Sequence, residues 1–200
     1  MIRTITVADA LAEDGWACNT EFLPDTTWRA LDAEVRARHA DGGFDAAGVG
    51  TRKTRRVASD VRGDRIRWLE PTAASAALQD ALSRLDDLRV TLNRELQLGL
   101  FEFEGHFALY PPGAGYRRHR DQHRGSRART LSCVLYLNAE WKAEDEGQLR
   151  LYLDSSGGDY RDVLPEGGTL VCFLSGRFWH EVLPARRERL SLTGWFRGRS

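Results

Sequence analysis

The chain has 200 residues, of which 42% are hydrophobic and 10% are aromatic. This length allows one sizeable hydrophobic core and is short for two, so we expect a single domain over residues 1–200. Lysine plus arginine and aspartate plus glutamate number 29 each, so no overall charge argues for a nucleic-acid or membrane-surface partner.

The N-terminal sequence MIRTITVADALAEDGW carries acidic residues where a signal peptide has an apolar run. No stretch of the chain approaches the roughly 18 apolar residues of a membrane-spanning helix. The cysteines, Cys18, Cys133 and Cys172, form no C-x-x-C pair, which argues against a disulfide framework or a thiolate zinc site. We therefore expect a cytoplasmic protein without a membrane span.

Two segments predict helices. In the first, from Thr27 to about His39, apolar residues share one face, and two glycines follow it. The second follows Pro71 and Thr72 and carries a leucine stripe at steps of three and four. The segment between them, about 41–64, is rich in glycine and charge and predicts a loop. The leucines of the stripe are Leu78, Leu82, Leu85, Leu88, Leu92 and Leu96.

From residue 99 onward the pattern changes to short strand-like pieces, separated by glycine, proline and acidic turns. Such a series predicts an antiparallel barrel or jelly roll. We therefore expect a mainly β fold with flanking helices. Its double-stranded β-helix (jelly-roll) core, about residues 99–197, would pack against a helical N-terminal support, about residues 1–98. The pieces are LGLFEFEGHFALY, RTLSCVLYLN, GQLRLYLD, GGTLVCFLS, HEVLP and RLSLTGWF.

Alternation within these strands predicts which side chains face the interior. In the last strand, Leu190 and Leu192 share one face, which we expect to lie under the helices. The opposite face is more polar and carries Arg189, Ser191, Thr193 and Trp195. In the run 130–138, Tyr136 falls on a similarly mixed face with Thr130, Ser132, Val134 and Asn138. These faces predict an interior that holds a polar ligand, with Arg189 and Tyr136 directed at the same small anion.

A possible metal site is formed by His119 and Asp121, which are separated by one residue, and by the later His180. Two imidazoles and one carboxylate suit a non-heme Fe(II) with open coordination positions, and Arg189 adds a fixed cation for an anionic cosubstrate. The H-x-D pattern alone is weak, since it arises readily by chance. His106, in a strand run, and His123, in an arginine-rich loop, are weaker ligand candidates.

The segments YPPGAGYRRHRD, LSCVLYLNAEW and GGTLVCFLSGRFWHEVLPARRERLSLTGWF resemble the catalytic core of the 2-oxoglutarate/Fe(II)-dependent prolyl 4-hydroxylase family. This family includes the oxygen-sensing prolyl hydroxylases and their bacterial homologues. With SDVRGDRIRWLEP, the similarity covers about residues 57–197. The resemblance implies that His119, Asp121 and His180 bind Fe(II). It also implies 2-oxoglutarate and O2 as cosubstrates, with ascorbate as a candidate reductant.

The resemblance further implies a cosubstrate site. Arg189 would pair with the distal carboxylate of 2-oxoglutarate, because a planar guanidinium can hold a carboxylate by two hydrogen bonds. Tyr136 would donate to the same carboxylate, and Thr193 would support it. Tyr110 and Tyr116 would flank the cosubstrate and the metal.

For the substrate, the resemblance implies that the loop 41–64 folds over a peptide, that Asp64 pairs with Arg129, and that Trp195 lines a prolyl pocket. The implied reaction is hydroxylation of an exposed prolyl residue of a protein, with release of succinate and CO2. Bacterial relatives are associated with translation elongation factor Tu. A ribosomal protein, another polypeptide and free proline are the alternatives.

Two other functions are compatible with the same residues. Nucleic-acid dealkylating oxygenases share the triad, and six arginines between residues 117 and 129 would suit nucleic acid. The last strand of those enzymes, however, resembles the pattern R-x-S-L-T-x-R. This chain has Trp195 in place of the second arginine. An indole suits an apolar ring better than a second carboxylate, which favours a protein hydroxylase. We expect it to act as a monomer. The other alternative is a non-catalytic 2-oxoglutarate or metal sensor.

Overall fold

The computed structural model describes residues 6–48, 61–122 and 128–199. The helices of this part are α1 (Val7–Glu13), α2 (Asp25–Ala40) and α3 (Ala76–Leu96). The strands are β1 (Trp16–Asn19), β2 (Asp45–Ala46), β3 (Arg65–Trp68), β4 (Leu100–Tyr110), β5 (Tyr116–His119), β6 (Arg129–Tyr136), β7 (Leu149–Tyr152), β8 (Tyr160–Val163), β9 (Leu170–Leu174), β10 (Trp179–Val182) and β11 (Arg189–Gly198).

The strands form two antiparallel sheets. The larger has the order β1-β9-β6-β11-β4-β3-β2, and the smaller has the order β5-β10-β7-β8. Apolar side chains of β6 and β9 pack against those of β7 between the two sheets, for example Val134 and Phe173 against Leu151. The expected mainly β fold with flanking helices and a jelly-roll core is therefore confirmed.

The main core lies between the helices and the outer face of the larger sheet. Leu190 and Leu192 of β11 belong to the same buried cluster as Leu31 of α2 and Leu85 of α3. Each fully buried leucine side chain contributes roughly 1.5–3 kcal/mol relative to exposure. The prediction that the apolar face of the last strand lies under the helices is confirmed, and the opposite face carries Arg189, Ser191 and Trp195, which are also buried.

The N-terminal part contributes more than helices. Three of its strands join the larger sheet: β1 pairs with β9, β3 pairs with β4, and β2 pairs with β3. Helix α1 and strand β1 were not predicted because each spans only a few residues, too few for a hydrophobic period. The helical support expected over about residues 1–98 thus also contains strands of the larger sheet.

The predicted loop between the two long helices is described only in part. Residues 49–60 lie outside the described residues, while 41–48 include the two-residue strand β2. The segment 61–64 runs alongside β5, since Arg117 donates its backbone N–H to the carbonyl of Val61 and Gly63 donates to that of Gly115. This docking fixes Arg62 and Asp64 beside the smaller sheet.

Cys133 and Cys172 lie directly opposite each other on β6 and β9, with their sulfur atoms 3.3 Å apart. Both are free thiols, as is Cys18. Among the described helices, none combines the length and the apolar character needed to cross a bilayer.

The N-terminus of α3 provides a test of the fold. Ser75 is the N-cap residue, and its hydroxyl accepts a hydrogen bond from the backbone N–H of Leu78 at 3.2 Å. We expect Ser75→Ala to lower the free energy of unfolding by about 1 kcal/mol, because a helix N–H loses its acceptor. Urea denaturation measures the change. Ser156→Ala in an exposed turn is the control, and an equal loss in both variants would contradict this role for Ser75.

Candidate metal and cosubstrate site

The structure brings His119, Asp121 and His180 together between β5 and β10. The two strands pair antiparallel, and His180 is directly opposite His119. Asp121 follows β5 by two residues, so that the three residues offer ligand atoms that all lie within 4.8 Å of one another. Asp121 and His180 are buried, and His119 is partly buried. Among the described residues, this is the one group of three or more histidine, cysteine, aspartate or glutamate side chains close enough together to hold a metal ion.

A hydrogen bond and a ring contact orient His119, and both imidazoles direct Nε2 at Asp121. Nδ1 of His119 lies 2.7 Å from the carbonyl oxygen of Arg117, which places the proton on Nδ1 and leaves Nε2 free. Nε2 of His119 and Nε2 of His180 lie 3.7 Å and 3.6 Å from the two carboxylate oxygens of Asp121. The rings of Tyr116 and His119 stack at 3.6 Å, which restrains the imidazole further. Both histidines therefore present Nε2 to the same small space.

The electrostatics of this group favour a cation. Burial, with the neighbouring His180, lowers the pKa of His119 to about 3, so its imidazole is neutral at physiological pH. Burial alone would raise the pKa of Asp121, but both histidines and a hydrogen bond from Ser132 outweigh it and lower that pKa. Metals bind neutral imidazole and ionised carboxylate, so His119 and Asp121 are already in the binding form. The donor set fits Fe(II).

A candidate anion site lies on the inner face of the larger sheet. Arg189 is 1% exposed, and its Nε donates to the carbonyl oxygen of Gly147 at 2.8 Å. Its guanidinium carbon lies 5.0 Å from the ring centroid of Tyr136 and 5.4 Å from that of Tyr110. Nη2 of Arg189 and the hydroxyl of Tyr136 are buried without a hydrogen-bond partner. Burial raises the pKa of Tyr136 to about 12, so the phenol stays protonated and able to donate.

Two unpaired buried donors side by side are unusual, because buried polar groups are nearly always hydrogen-bonded. A carboxylate would satisfy both donors at once, and the arginine supplies the compensating charge. The pair therefore fits one end of a dicarboxylic acid such as 2-oxoglutarate. Thr193 lies on the same strand, and its hydroxyl is 3.1 Å from that of Ser191.

Asp64 does not pair with Arg129 as we expected. The structure shows a two-fold hydrogen bond from Arg62 to Asp64, at 2.7 Å and 2.8 Å. The reason is local: Arg62 lies two residues away on the segment that docks beside β5. Burial opposes the charge of Arg62, but Asp64 outweighs burial and raises the pKa of that guanidinium. The sequence signal for this pair was the spacing R-x-D in the RGD run.

Arg129 contacts Trp195 instead. Its guanidinium carbon lies 3.3 Å from the ring centroid of Trp195, and its Nη1 donates to the backbone carbonyl of Asp121 at 3.4 Å. Trp195 is 5% exposed. Arg129 and Trp195 thus form a stacked pair beside Asp121. Asp64 instead pairs with Arg62, which lies over the ring of Tyr116.

The other two histidine candidates differ in outcome. His106 is buried next to the rings of Trp68 and Trp195 and is not part of the metal-ligand group of the described residues. Burial, with Arg62 and Arg129, lowers its pKa to about 3, so it packs as a neutral ring. His123 lies outside the described residues.

Two contributors to the site were missed in the sequence. Ser132 donates its hydroxyl proton to Asp121 at 2.7 Å, and Arg62 holds Asp64. Alternation placed Ser132 on the inner face, but a lone serine in a strand carries no signal of its own. The alternation did predict that Ser132, Tyr136 and Arg189 face the interior, and all three are buried.

Comparisons of this chain with known proteins all point to the same family. Residues 105–197 match the model of the 2OG-Fe(II) oxygenase superfamily. The crystal structure of a Pseudomonas putida prolyl-4-hydroxylase is similar with a TM-score of 0.86 and 50% identity, covering 97% of this chain and 98% of that one. A Trichoplax adhaerens prolyl hydroxylase, solved with a hypoxia-inducible factor oxygen degradation domain peptide fragment, gives a TM-score of 0.82 and 26% identity, covering 96% of this chain and 87% of that one.

Among curated proteins, human Egl nine homolog 1 is 32% identical over 185 residues. That match covers 88% of this chain but only 42% of the human protein, so the chain spans less than half of that relative. The likeness to the bacterial enzyme extends over both chains almost end to end, and it includes the strands that carry the metal-ligand group. The chain therefore belongs to the 2-oxoglutarate- and Fe(II)-dependent prolyl hydroxylase family.

Proposed function

We propose that this protein is a dioxygenase that hydroxylates an exposed prolyl residue of a protein substrate, with Fe(II), 2-oxoglutarate and O2. The observation that carries the proposal is the unpaired donor pair of Arg189 and Tyr136, located in the same fold as a two-histidine, one-carboxylate group. The likeness to prolyl hydroxylases supports the choice of proline.

Each site residue has a role in this proposal. His119, Asp121 and His180 hold the iron, which, when bound, couples the conversion of 2-oxoglutarate to succinate and CO2 with oxygen insertion into a substrate C–H bond. Arg189 and Tyr136 bind the distal carboxylate. The charges support this assignment: the metal with one carboxylate carries one net positive charge, the dianionic cosubstrate reverses it, and Arg189 restores neutrality.

The remaining residues shape and close the site. Tyr110 and Tyr116 flank the cosubstrate and the metal, and Thr193 supports the cosubstrate from β11. The rings of Tyr110 and Tyr116, together with the buried β strands, exclude water from the reacting atoms, which protects these atoms from side reactions. Ascorbate is the proposed reductant that keeps the iron in its ferrous form.

For the substrate, we propose that Trp195 with its stacked Arg129 forms a wall for the prolyl ring, while Asp64 with Arg62 shapes the rim beside β5. A flat, buried indole suits an apolar ring. The first candidate substrate is translation elongation factor Tu, with the enzyme acting as a cytoplasmic monomer. The peptide-bound relative supports a polypeptide rather than a free amino acid.

The nucleic-acid dealkylating alternative has less support. The last strand carries Trp195 instead of a second arginine, and Arg129 is engaged with that ring. The non-catalytic sensor is also less favoured, because the ligand group and the Arg189–Tyr136 donors are all present. Turnover assays separate these functions.

The first test is turnover. Protein prepared without oxygen is loaded with Fe(II), 2-oxoglutarate and ascorbate, then exposed to O2 with proline-containing peptides, including one from elongation factor Tu. We expect succinate together with a one-oxygen gain in peptide mass, and neither with His180→Ala, which should lose the metal. Absence of succinate under every condition would overturn the dioxygenase. Demethylation of an alkylated oligonucleotide without peptide hydroxylation would overturn the substrate class.

The second test concerns the cosubstrate site. Arg189→Ala should weaken 2-oxoglutarate binding about 10- to 100-fold, the loss expected for a charge-assisted hydrogen bond of about 1.5–3 kcal/mol, while metal affinity stays near wild type. Calorimetric titration with 2-oxoglutarate on the Mn(II)-loaded protein measures this. Arg186→Ala removes a nearby exposed arginine as the control. Equal 2-oxoglutarate affinities in the wild type and Arg189→Ala would contradict the assignment.

The third test concerns the substrate rim. Asp64→Asn should raise the KM for the peptide and lower stability by about 3–5 kcal/mol, because Arg62 would keep a largely buried charge without its partner. Asp162→Asn breaks a similar two-fold Arg–Asp pair on the exposed part of the smaller sheet and is the matched control. An unchanged peptide KM in folded Asp64→Asn protein would remove Asp64 from the substrate site.

A further inference from the structure

Two buried serine hydroxyls lie directly behind the metal-ligand carboxylate. Ser132 Oγ on β6 is 2.7 Å from Oδ2 of Asp121 and 2.8 Å from Oγ of Ser175, which follows β9. Ser132 is 1% exposed and Ser175 is fully buried. The three side chains therefore form a short hydrogen-bonded chain that runs from the larger sheet to the metal-ligand group.

The direction of these hydrogen bonds follows from the number of protons. A metal-ligating carboxylate is ionised and can only accept, so Ser132 must donate its single hydroxyl proton to Asp121. The oxygen of Ser132 then accepts from Ser175. Ser175 is itself fixed by its backbone N–H, which donates to the carbonyl oxygen of Thr130 at 3.1 Å. The chain ends on the backbone of the neighbouring strand and is anchored there.

These hydroxyls are located in an apolar environment. On the same inner face, Ser132 is followed by Val134, and Phe173 is its cross-strand partner. A hydroxyl buried among such side chains costs free energy unless it is hydrogen-bonded. Ser175 donates to Ser132, and Ser132 donates to Asp121, so neither hydroxyl proton lacks an acceptor. This arrangement points to a role beyond packing.

The hydrogen bond to Oδ2 has a consequence for ligation. A carboxylate can bind a metal through one oxygen or through both, and a second oxygen would occupy a position that the cosubstrate and O2 need. An oxygen that already accepts a short hydrogen bond is a weaker second ligand. Partners of this kind also fix the direction of the ligand before the metal arrives.

We propose that Ser132, supported by Ser175, is a positioning residue that holds Asp121 to one-oxygen ligation and so keeps positions open for 2-oxoglutarate and O2. This inference rests on the proposed metal site. It assigns a function to two residues outside the metal-ligand group and the anion site. Removing the hydroxyl should therefore affect both metal affinity and cosubstrate binding.

The first experiment measures metal affinity without turnover. Mn(II), which resists oxidation, is titrated calorimetrically into the metal-free full chain. We expect Ser132→Ala to bind Mn(II) about 10- to 100-fold more weakly, the usual effect of losing a hydrogen-bond partner of a metal ligand. Ser132→Thr keeps the hydroxyl and should restore affinity to within a few-fold of wild type. Ser175→Ala, which leaves the Ser132 donor in place, should fall between the two.

The second experiment measures the open positions. With Fe(II) at saturating concentration and oxygen absent, 2-oxoglutarate is added while the charge-transfer absorption of its iron complex is recorded. Ser132→Ala should need several-fold more 2-oxoglutarate for half-saturation and show a shifted band, because Asp121 can then bind through both oxygens. Ser132→Thr should give the wild-type band. This readout separates ligand geometry from simple loss of the metal.

Controls distinguish the possible failures. Ser75→Ala, a serine-to-alanine change at the N-cap of α3, should lower the thermal midpoint and leave Mn(II) affinity unchanged. A wild-type 2-oxoglutarate half-saturation and a wild-type band in folded Ser132→Ala would overturn the inference, as would equal damage in folded Ser132→Thr and Ser132→Ala. If Ser132→Ala does not fold, an unchanged Mn(II) affinity in Ser175→Ala overturns it instead. Failure of the wild type itself to bind Mn(II) would refute the metal site and not this inference alone.

Discussion

The antiparallel pairing of β5 with β10 places His119 directly opposite His180, and the rest of the site depends on this register. Because successive side chains in a strand point to opposite faces, a slip of one residue would turn one imidazole away from the other. The stacking of Tyr116 on His119 and the contact of Phe173 with His180 hold both rings on the inner side. The chemistry is thus set by a backbone register that the core stabilises.

The larger sheet separates stability from function by its two faces. Its outer face packs against α2 and α3 through leucines, whereas its inner face carries Arg189, Tyr136 and Ser132. Burying Nη2 of Arg189 and the hydroxyl of Tyr136 without hydrogen-bond partners costs free energy. We interpret that cost as preorganisation, since a bound dicarboxylate would find its donors already in place. The apolar face supplies the stabilisation that makes this arrangement tolerable.

The sequence was most informative where a period is long or a residue set is chemically restrictive. The leucine stripe of α3 and the alternation along β11 predicted those elements and their buried faces, because hydrophobic periodicity reports packing directly. Short strands such as β1 and β8 carry no such period, and their positions depend on tertiary pairing. The prediction that Asp64 pairs with Arg129 was wrong for a similar reason. Long arginine side chains can reach several carboxylates, and only the docking of residues 61–64 beside β5 selects Arg62 as the partner. The roles of the remaining site residues come from the family resemblance and stay predictions.

The proposed function requires one metal on the smaller sheet and one dicarboxylate on the inner face of the larger sheet to be bound together. The most direct measurement is a crystal structure of the chain grown without oxygen in the presence of Mn(II) and 2-oxoglutarate. We expect the metal on His119, Asp121 and His180, with the distal carboxylate within hydrogen-bond distance of Arg189 Nη2 and the Tyr136 hydroxyl. A metal held by other residues, or a carboxylate away from Arg189 and Tyr136, would contradict it.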